Sequence, residues 1–177
     1  VRKEQVMVPK WVRGRETLDL IEPTAQSLPL LGLGNSVGTP AAGLTGDVLV
    51  VTSFDDLKAR AAEVKGRIVL YNVPFTTYGP TVTYRTTGPS QAAALGAIAV
   101  LVRSVGPPGL RTTHTGATNY DAAQPKIPAA AISTEDADRF ARLQERRVRI
   151  RVRLMMEARF EPDALSHNVV GELRGRE

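Results

Sequence analysis

The chain of 177 residues is 42% hydrophobic and 23% charged, a composition typical of a folded globular domain. It contains no cysteine, which excludes disulfides, thiolate chemistry and cysteine-type zinc sites. The formal net charge is +5, and no apolar run approaches the roughly 20 residues that cross a bilayer, so we expect no membrane partner. The N-terminal Val1-Arg2-Lys3-Glu4 lacks the pattern of a signal segment, and we expect the sequence to begin inside a longer chain.

The first part of the chain predicts irregular β structure. Extended stretches at residues 5–8 and 17–21 flank a turn at residues 12–15 and predict a β-hairpin. Residues 29–46 are rich in Gly, Pro and Ser and predict a surface loop. A glycine-rich run at residues 32–38 is one residue too long for a dinucleotide-binding motif, and no helical pattern follows it. We therefore expect residues 1–46 to form a hairpin and a loop that lead into a domain core.

Regular structure is predicted from residue 47 to residue 165, the proposed core of the domain. Compact apolar runs predict strands at residues 48–52, 67–73, 97–102 and 127–132. Short helices between them are predicted from the capping pairs Ser53 with Asp56 and Ser133 with Asp136, and from Gly88-Pro89 ahead of an alanine-rich run. Two long loops remain, at residues 74–87 and 104–126. The fold class is therefore α/β or α+β, a sandwich or barrel with two or three short helices.

Much of the excess positive charge lies in one stretch, where arginines at positions 147, 149, 151 and 153 alternate with apolar residues. A period of two predicts a strand with one buried face and one solvated face. Nucleic-acid grooves interleave aromatic residues for base stacking, and this stretch has none, so we expect no nucleic-acid partner. The final segment, residues 166–177, is predicted to contain a short strand at residues 166–173 that leads out of the domain.

No complete catalytic or metal site is predicted. His114 and His167 are the only histidines, they lie on different elements, and neither belongs to a zinc-binding motif. None of Ser53, Ser90, Ser133 and Ser166 lies in the Gly-x-Ser-x-Gly turn of a serine hydrolase. The aspartates at positions 55, 56, 136 and 138 start helices, where capping and the helix dipole explain them. We therefore expect no catalytic residue, no metal ligand and no cofactor within this chain.

Aromatic residues concentrate in one part of the sequence. Three of the four tyrosines lie between residues 71 and 84, in a chain that is only 5% aromatic. Tyrosine and arginine are the preferred anchors of recognition surfaces, although packing of these rings over a barrel end explains the cluster equally well. The candidate substrate- or partner-binding residues are Tyr78, Tyr84, Arg85 and His114, which the sequence places in the two long loops.

Several short stretches of the sequence are distinctive when taken together. They are LGLGNSVGTP at 31–40, VLVVTSFDDL at 48–57, KGRIVLYN at 65–72, YRTTG at 84–88, AAALGA at 92–97, HTG at 114–116 and IPAAAIS at 127–133. Together they resemble a protease-associated (PA) domain of the kind inserted in carboxypeptidase Q-like zinc peptidases. The likeness keeps its order along nearly the whole chain and is weakest between residues 107 and 111.

The resemblance implies a PA-type β-sandwich or open barrel that is itself non-catalytic. Such an insert covers the active-site cleft of a secreted or periplasmic di-zinc exopeptidase and contributes to substrate access or protein interaction. Its partners would be the catalytic domain of the same parent chain and the peptide substrate. In the family the first metal ligand follows an Asn-x-x-x-Glu strand, here Asn168 to Glu172, so zinc is expected only in the parent catalytic domain.

One alternative comes from a different class of function. A stand-alone interaction domain would bind an acidic partner, such as nucleic acid or acidic lipid, through the arginine-rich strand. A steep dependence of binding on salt would favour this reading, because it signals the release of counterions from phosphates. Whether the module also forms a homodimer is left open by the sequence.

Overall fold

Eight of the ten strands described in residues 1–175 form one sheet, and the other two form a separate antiparallel ribbon in the computed structural model. The strands are β1 (Arg2–Val12), β2 (Glu16–Glu22), β3 (Gln26–Leu28), β4 (Leu30–Gly32), β5 (Leu44–Val51), β6 (Ile68–Tyr71), β7 (Ala99–Arg103), β8 (Ala129–Ile132), β9 (Arg151–Met156) and β10 (Arg159–Val170). The helices are α1 (Phe54–Ala59), α2 (Ala61–Val64), α3 (Tyr78–Thr86), α4 (Gly88–Ala94) and α5 (Thr134–Glu145).

The large sheet has the strand order β3-β2-β9-β5-β6-β7-β8-β4 and nearly closes into a barrel. Strands β5 to β8 are parallel, and the strands on either side of them are antiparallel. At the seam, the Glu16 carboxylate in β2 accepts the Gly32 N–H in β4 at 3.0 Å. The predicted mixed fold with an open barrel is confirmed, and strands predominate over short helices.

The four parallel strands are hydrophobic at residues 48–51, 68–71, 99–102 and 129–132, because both faces of this part of the sheet are covered. One face belongs to a core cluster that includes Leu101, Ile132, Phe140 of α5 and Leu154. The other face packs under α1, α2 and α4 in a second cluster with Leu49 and Tyr71 at its centre. The apolar runs that predicted these strands therefore contribute to two cores, one on each face of the sheet.

The predicted N-terminal hairpin is wrong. Strand β1 pairs with β10, from Arg2 opposite Val170 to Val12 opposite Arg159, whereas β2 pairs with β3 and β9. The turn at Gly14, which has a φ of +67°, passes the chain from the ribbon into the barrel instead of closing a hairpin. Strand β2 joins the barrel because Leu18 and Leu20 are both only 1% exposed there.

The C-terminal prediction is correct in kind but not in extent. The predicted strand at residues 166–173 is the second half of β10, which starts at Arg159 and ends at Val170. Residues 176–177 of the predicted C-terminal segment lie outside the described residues. The boundaries at residues 46 and 165 remain a prediction.

Three further segments differ from their predictions. The loop predicted at residues 29–46 contains β4 and the start of β5. The loop predicted at residues 74–87 contains α3, and the helix predicted after Ser53 is divided into α1 and α2. There are therefore five helices within residues 1–175 rather than two or three. The arginine-rich strand starts only at Arg151, after a turn in which Arg147 has a φ of +57°. Its alternation is as predicted, because Ile150, Val152 and Leu154 are buried.

Candidate recognition site

Helix α3 contains three of the four candidate residues, Tyr78, Tyr84 and Arg85. Thr81 and Arg85 are four residues apart and therefore lie on the same side of the helix, where they are 4% and 6% exposed. Tyr78 opens the helix and is 56% exposed. The prediction that these residues lie in a loop is wrong, but His114 does lie in the long loop at residues 104–126 and is exposed.

Arg85 is a buried guanidinium with almost no hydrogen-bonding partners. Its Nη2 donates to the Tyr78 hydroxyl at 2.8 Å, and its Cζ lies 5.7 Å from the centre of the Tyr78 ring. Its Nε and Nη1 are buried and have no acceptor within residues 1–175. Removing a charge from water is costly unless the charge is paired and hydrogen-bonded. The Nε and Nη1 donors of Arg85 therefore have no partner within the described chain.

Tyr78 and His114 line the same groove, which has a volume of about 690 Å³. Its wall is mostly apolar, with Phe75, Val105 and Leu110 among its residues. A volume between roughly 300 and 1,000 Å³ is usual for a ligand pocket. The structure therefore brings together Tyr78, His114 and, behind the Tyr78 hydroxyl, Arg85.

Tyr84 does not join this site. Its ring stacks on Phe54 with centroids 4.3 Å apart and lies 5.6 Å from the Tyr71 ring. The Tyr71 hydroxyl donates to the Gly88 carbonyl at 3.0 Å, and burial, with a smaller contribution from Tyr84, raises the pKa of Tyr71. Tyr84 therefore packs over the second core cluster, which is the alternative to a contact role that the sequence left open.

One wall of the groove is a tight loop whose anchors the sequence analysis missed. Arg111 donates from Nε and Nη2 to the two oxygens of Asp136, at 3.0 and 2.8 Å. This bidentate pair raises the pKa of Arg111. Asp136 was predicted only as part of a helix cap, a role confirmed by the 3.1 Å bond from its N–H to the Ser133 hydroxyl. No sequence signal pointed to its second partner, which comes from a loop 25 residues away.

The arginine stripe, formed by the arginines at positions 147, 149, 151 and 153, is only partly neutralised within the chain. Arg149 and Arg151 both contact the Asp47 carboxylate at 3.1 Å. Burial alone would raise the pKa of Asp47, but the hydrogen bonds and positive charges of Arg149 and Arg151 outweigh it and lower that pKa. A smaller cavity of about 290 Å³ beside them mixes arginines with Asp47 and Glu63. The other two arginines of the stripe form no ion pair among residues 1–175.

No metal site is formed by the part of the chain that the structure describes. Residues 1–175 contain no group of three or more His, Asp and Glu side chains that could hold an ion. His167 lies in β10, opposite Gln5, and His114 lies in the long loop. These residues do not fit a zinc ion. None of the helices within residues 1–175 is long and apolar enough to cross a membrane.

The nearly closed barrel, with parallel strands between short helices, defines a protease-associated type of module. The family described as PA domain matches residues 27–140, and the chain belongs to this family.

Carboxypeptidase Q of Homo sapiens is 45% identical over 175 residues, which cover 99% of this chain and 37% of the relative. The crystal structure of a peptidase M28 precursor from Shewanella amazonensis has a TM-score of 0.88 and 32% identity, and the match covers 94% of this chain and 39% of that one. A zinc aminopeptidase from Bacillus subtilis shares the fold at a TM-score of 0.59 and 20% identity, over 93% of this chain and 35% of that one. The chain thus spans less than half the length of the proteins it matches.

Proposed function

We propose that this chain is the PA insert of a secreted or periplasmic zinc exopeptidase of the carboxypeptidase Q type. In this proposal it covers the active-site cleft, takes part in substrate access, and carries out no catalysis itself. The proposal is supported by 45% identity to carboxypeptidase Q over 99% of the chain and by the PA-domain match. Because the chain spans 37% of that relative, the catalytic domain and its zinc would belong to the remaining part of the parent protein.

The ribbon supports the idea of an insert. Arg2 lies opposite Val170, so the chain enters and leaves the described structure side by side. A two-stranded ribbon alone is marginally stable in water, and Met7, Leu165 and Val169 are more than half exposed on it. We propose that the catalytic domain, rather than a second copy of this chain, covers these side chains. Residues 47–165 would then be the module core, and β1 and β10 its connection to the peptidase.

The environment of Arg85 supports the proposed role in substrate access. A guanidinium that is 94% buried with two unpartnered nitrogens is a poor arrangement for a domain that functions alone. It becomes favourable when an acceptor arrives from outside through the Tyr78 and His114 groove. The acceptor would be a carboxylate or carbonyl of the peptide substrate or of the catalytic domain.

The test uses the full-length parent enzyme with Arg85→Met, which keeps the volume of the side chain and removes its donors. We expect kcat/KM for peptide hydrolysis to fall at least about tenfold, since each 1.4 kcal/mol of lost interaction is a factor of ten. The matched control is Arg142→Met, an exposed arginine of α5, which should leave kinetics unchanged. Unchanged kinetics for Arg85→Met would contradict the proposed role of the groove in access.

A further inference from the structure

We propose that residues 107–111, named here the Leu110 rim, select peptides whose side chain at the groove is apolar. This inference rests on the proposed function, because it assumes that the groove contacts the substrate of the parent peptidase. It adds a specificity-determining residue, Leu110, in the segment where the likeness to PA domains is weakest. Three features of the Leu110 rim support this role: its anchors, the conformation of its backbone, and the lining of the groove beside it.

The rim is fixed to the start of α5 by two carboxylates. The Glu135 Oε1 accepts the N–H groups of Gly109 and Arg111 at 2.9 and 3.3 Å. The Asp136 carboxylate holds the Arg111 side chain at both oxygens and also accepts the Ser133 hydroxyl at 2.6 Å. Asp136 is only 3% exposed, so this anchor is part of the folded core. The loop is thereby preformed.

The backbone of the rim is held in an unfavourable conformation. Leu110 and Arg111 have φ values of +59° and +50°, in the left-handed region that residues with a Cβ rarely adopt. The Leu110 side chain is nevertheless 95% exposed, so packing within the described chain does not stabilise this backbone conformation. Backbone strain that the surrounding structure enforces is concentrated at binding sites. The anchors hold a large apolar side chain in water, where it is available to a ligand.

The lining of the groove decides which ligand fits. Leu110 shares it with Phe75 and Tyr78, which are 38% and 56% exposed. Among its lining residues within the described chain there is no Asp, Glu, Lys or Arg. An apolar side chain gains from burial against these residues, whereas a charged one loses its hydration without gaining a partner. The occupant is therefore an apolar side chain of the peptide, with its polar backbone near Tyr78 and Arg85.

The experiment compares full-length parent enzyme with its Leu110→Ala variant on a series of dipeptides. Each position of the dipeptide is varied in turn among Leu, Phe, Ser and Asp. At the position that reaches the groove, Leu110→Ala should lower kcat/KM about tenfold for Leu and Phe, mainly through a higher KM, because lost apolar contacts weaken binding by factors of this size. Hydrolysis of the Ser and Asp dipeptides should be unchanged. Arg111→Ala, which removes the contact with Asp136 but keeps the backbone bonds to Glu135, should give the same selective loss to a smaller degree.

Two controls separate the outcomes. Ile21→Ala removes an apolar side chain that is 41% exposed on β2 and should alter no substrate. Leu110→Asp should reduce the rates for Leu and Phe further while the melting temperature of the full-length enzyme stays unchanged. If Leu110→Asp instead lowers that temperature and slows all substrates equally, the catalytic domain occupies the groove, and the selectivity proposal is overturned.

Failure of this inference is distinguishable from failure of the proposed function. Loss of activity in Arg85→Met together with no change in Leu110→Ala would overturn only the selection of apolar side chains. If neither variant changes the kinetics of any dipeptide, the groove does not contact substrate, and both proposals fail.

Discussion

The guanidinium of Arg85 packs directly against Gly116, and only a glycine leaves room for it. A Cβ at position 116 would lie 2.4 Å from the Arg85 Cζ and 2.6 Å from its Nη2. Real Cβ atoms do not approach other heavy atoms so closely, so a Cβ at position 116 would require the buried guanidinium to move. The long loop and helix α3 are thus fitted together at a buried arginine whose Nε and Nη1 have no acceptor within residues 1–175.

The first prediction follows from this contact. Gly116→Ala in the full-length enzyme should displace the guanidinium from its place behind Tyr78 and lower kcat/KM by about the factor found for Arg85→Met. The physical reason is positional, because a shift of about 1 Å in a binding group can cost roughly a hundredfold in rate. The measurement is steady-state kinetics of peptide hydrolysis.

The matched control for this substitution is Gly79→Ala in the first turn of α3. A Cβ there would meet nothing within 4 Å, so kinetics should not change. If Gly116→Ala retains full activity while Arg85→Met does not, the position of the guanidinium is not what matters. The role of Arg85 would then depend on its charge alone.

The second prediction concerns the stability of the chain. Arg85→Met should leave the free energy of unfolding unchanged or raise it by about 1 kcal/mol, because replacing a buried, poorly paired charge with an apolar residue of similar volume is often neutral or stabilising. Urea denaturation of the 177-residue chain measures this. A loss of more than about 2 kcal/mol would show that the single bond to the Tyr78 hydroxyl supports the fold, since a net hydrogen bond to a charged group contributes roughly 1.5–3 kcal/mol.

Local signals predicted the parts of the fold that depend on neighbouring residues. Strands β5 to β8 each contain the apolar run that predicted them, and both predicted caps are present, with Ser53 and Ser133 accepting the N–H groups of Asp56 and Asp136. The hairpin failed because pairing of β1 with β10 joins residues about 150 positions apart along the chain, roughly the span from Val12 to Arg159. A pattern of alternating residues indicates a strand but not its partner.

Helix α3 escaped prediction for a physical reason. Its sequence, YGPTVTYRT, combines a glycine, a proline and four β-branched residues, all of which have low helix propensity. The helix forms because Thr81 and Arg85 are buried by the fold, and tertiary packing overrides propensity. Composition could therefore point to Tyr78 and Arg85 as a candidate site but not to their relative geometry. Leu110 was missed because its exposure and backbone conformation depend on anchors in a distant helix.

The third prediction concerns a side chain that acts as part of the sheet. The Gln144 amide in α5 pairs with both backbone groups of buried Val50, since Oε1 accepts the N–H at 2.8 Å and Nε2 donates to the carbonyl at 2.9 Å. Gln144→Ala leaves the Val50 N–H without this partner and should cost about 1–3 kcal/mol. Urea denaturation should show the loss, and the exposed neighbour Glu145→Ala should stay within about 0.5 kcal/mol of wild type. An equal loss for both substitutions would contradict the proposed role of the Val50 pairing, because alanine is the strongest helix former and helix propensity would lower the stability of neither variant.

The fourth prediction is a pH dependence at the base of the arginine stripe. Arg149 and Arg151 hold the pKa of Asp47 in the folded state below its ordinary value of 3.8, despite the opposing effect of burial. In the pH range between the folded and unfolded values, the unfolded state binds the extra proton, so stability rises with pH there. The contribution of Asp47 is therefore complete above about pH 4–5 and is lost as the pH falls through its folded pKa.

Asp47→Asn tests this sign directly. Because the side chain is 32% exposed, the difference from wild type should be only about 0.5–1 kcal/mol at pH 7, as for other solvent-screened ion pairs. Urea denaturation at pH 7, 4 and 2.5 should show that difference shrinking toward zero at the lowest pH. Asp163→Asn, in the exposed part of β10, is the control and should give no difference at pH 7. A difference for Asp47→Asn that stays constant across this range would mean that the carboxylate stabilises the barrel through hydrogen bonds an amide cannot make, rather than through its charge.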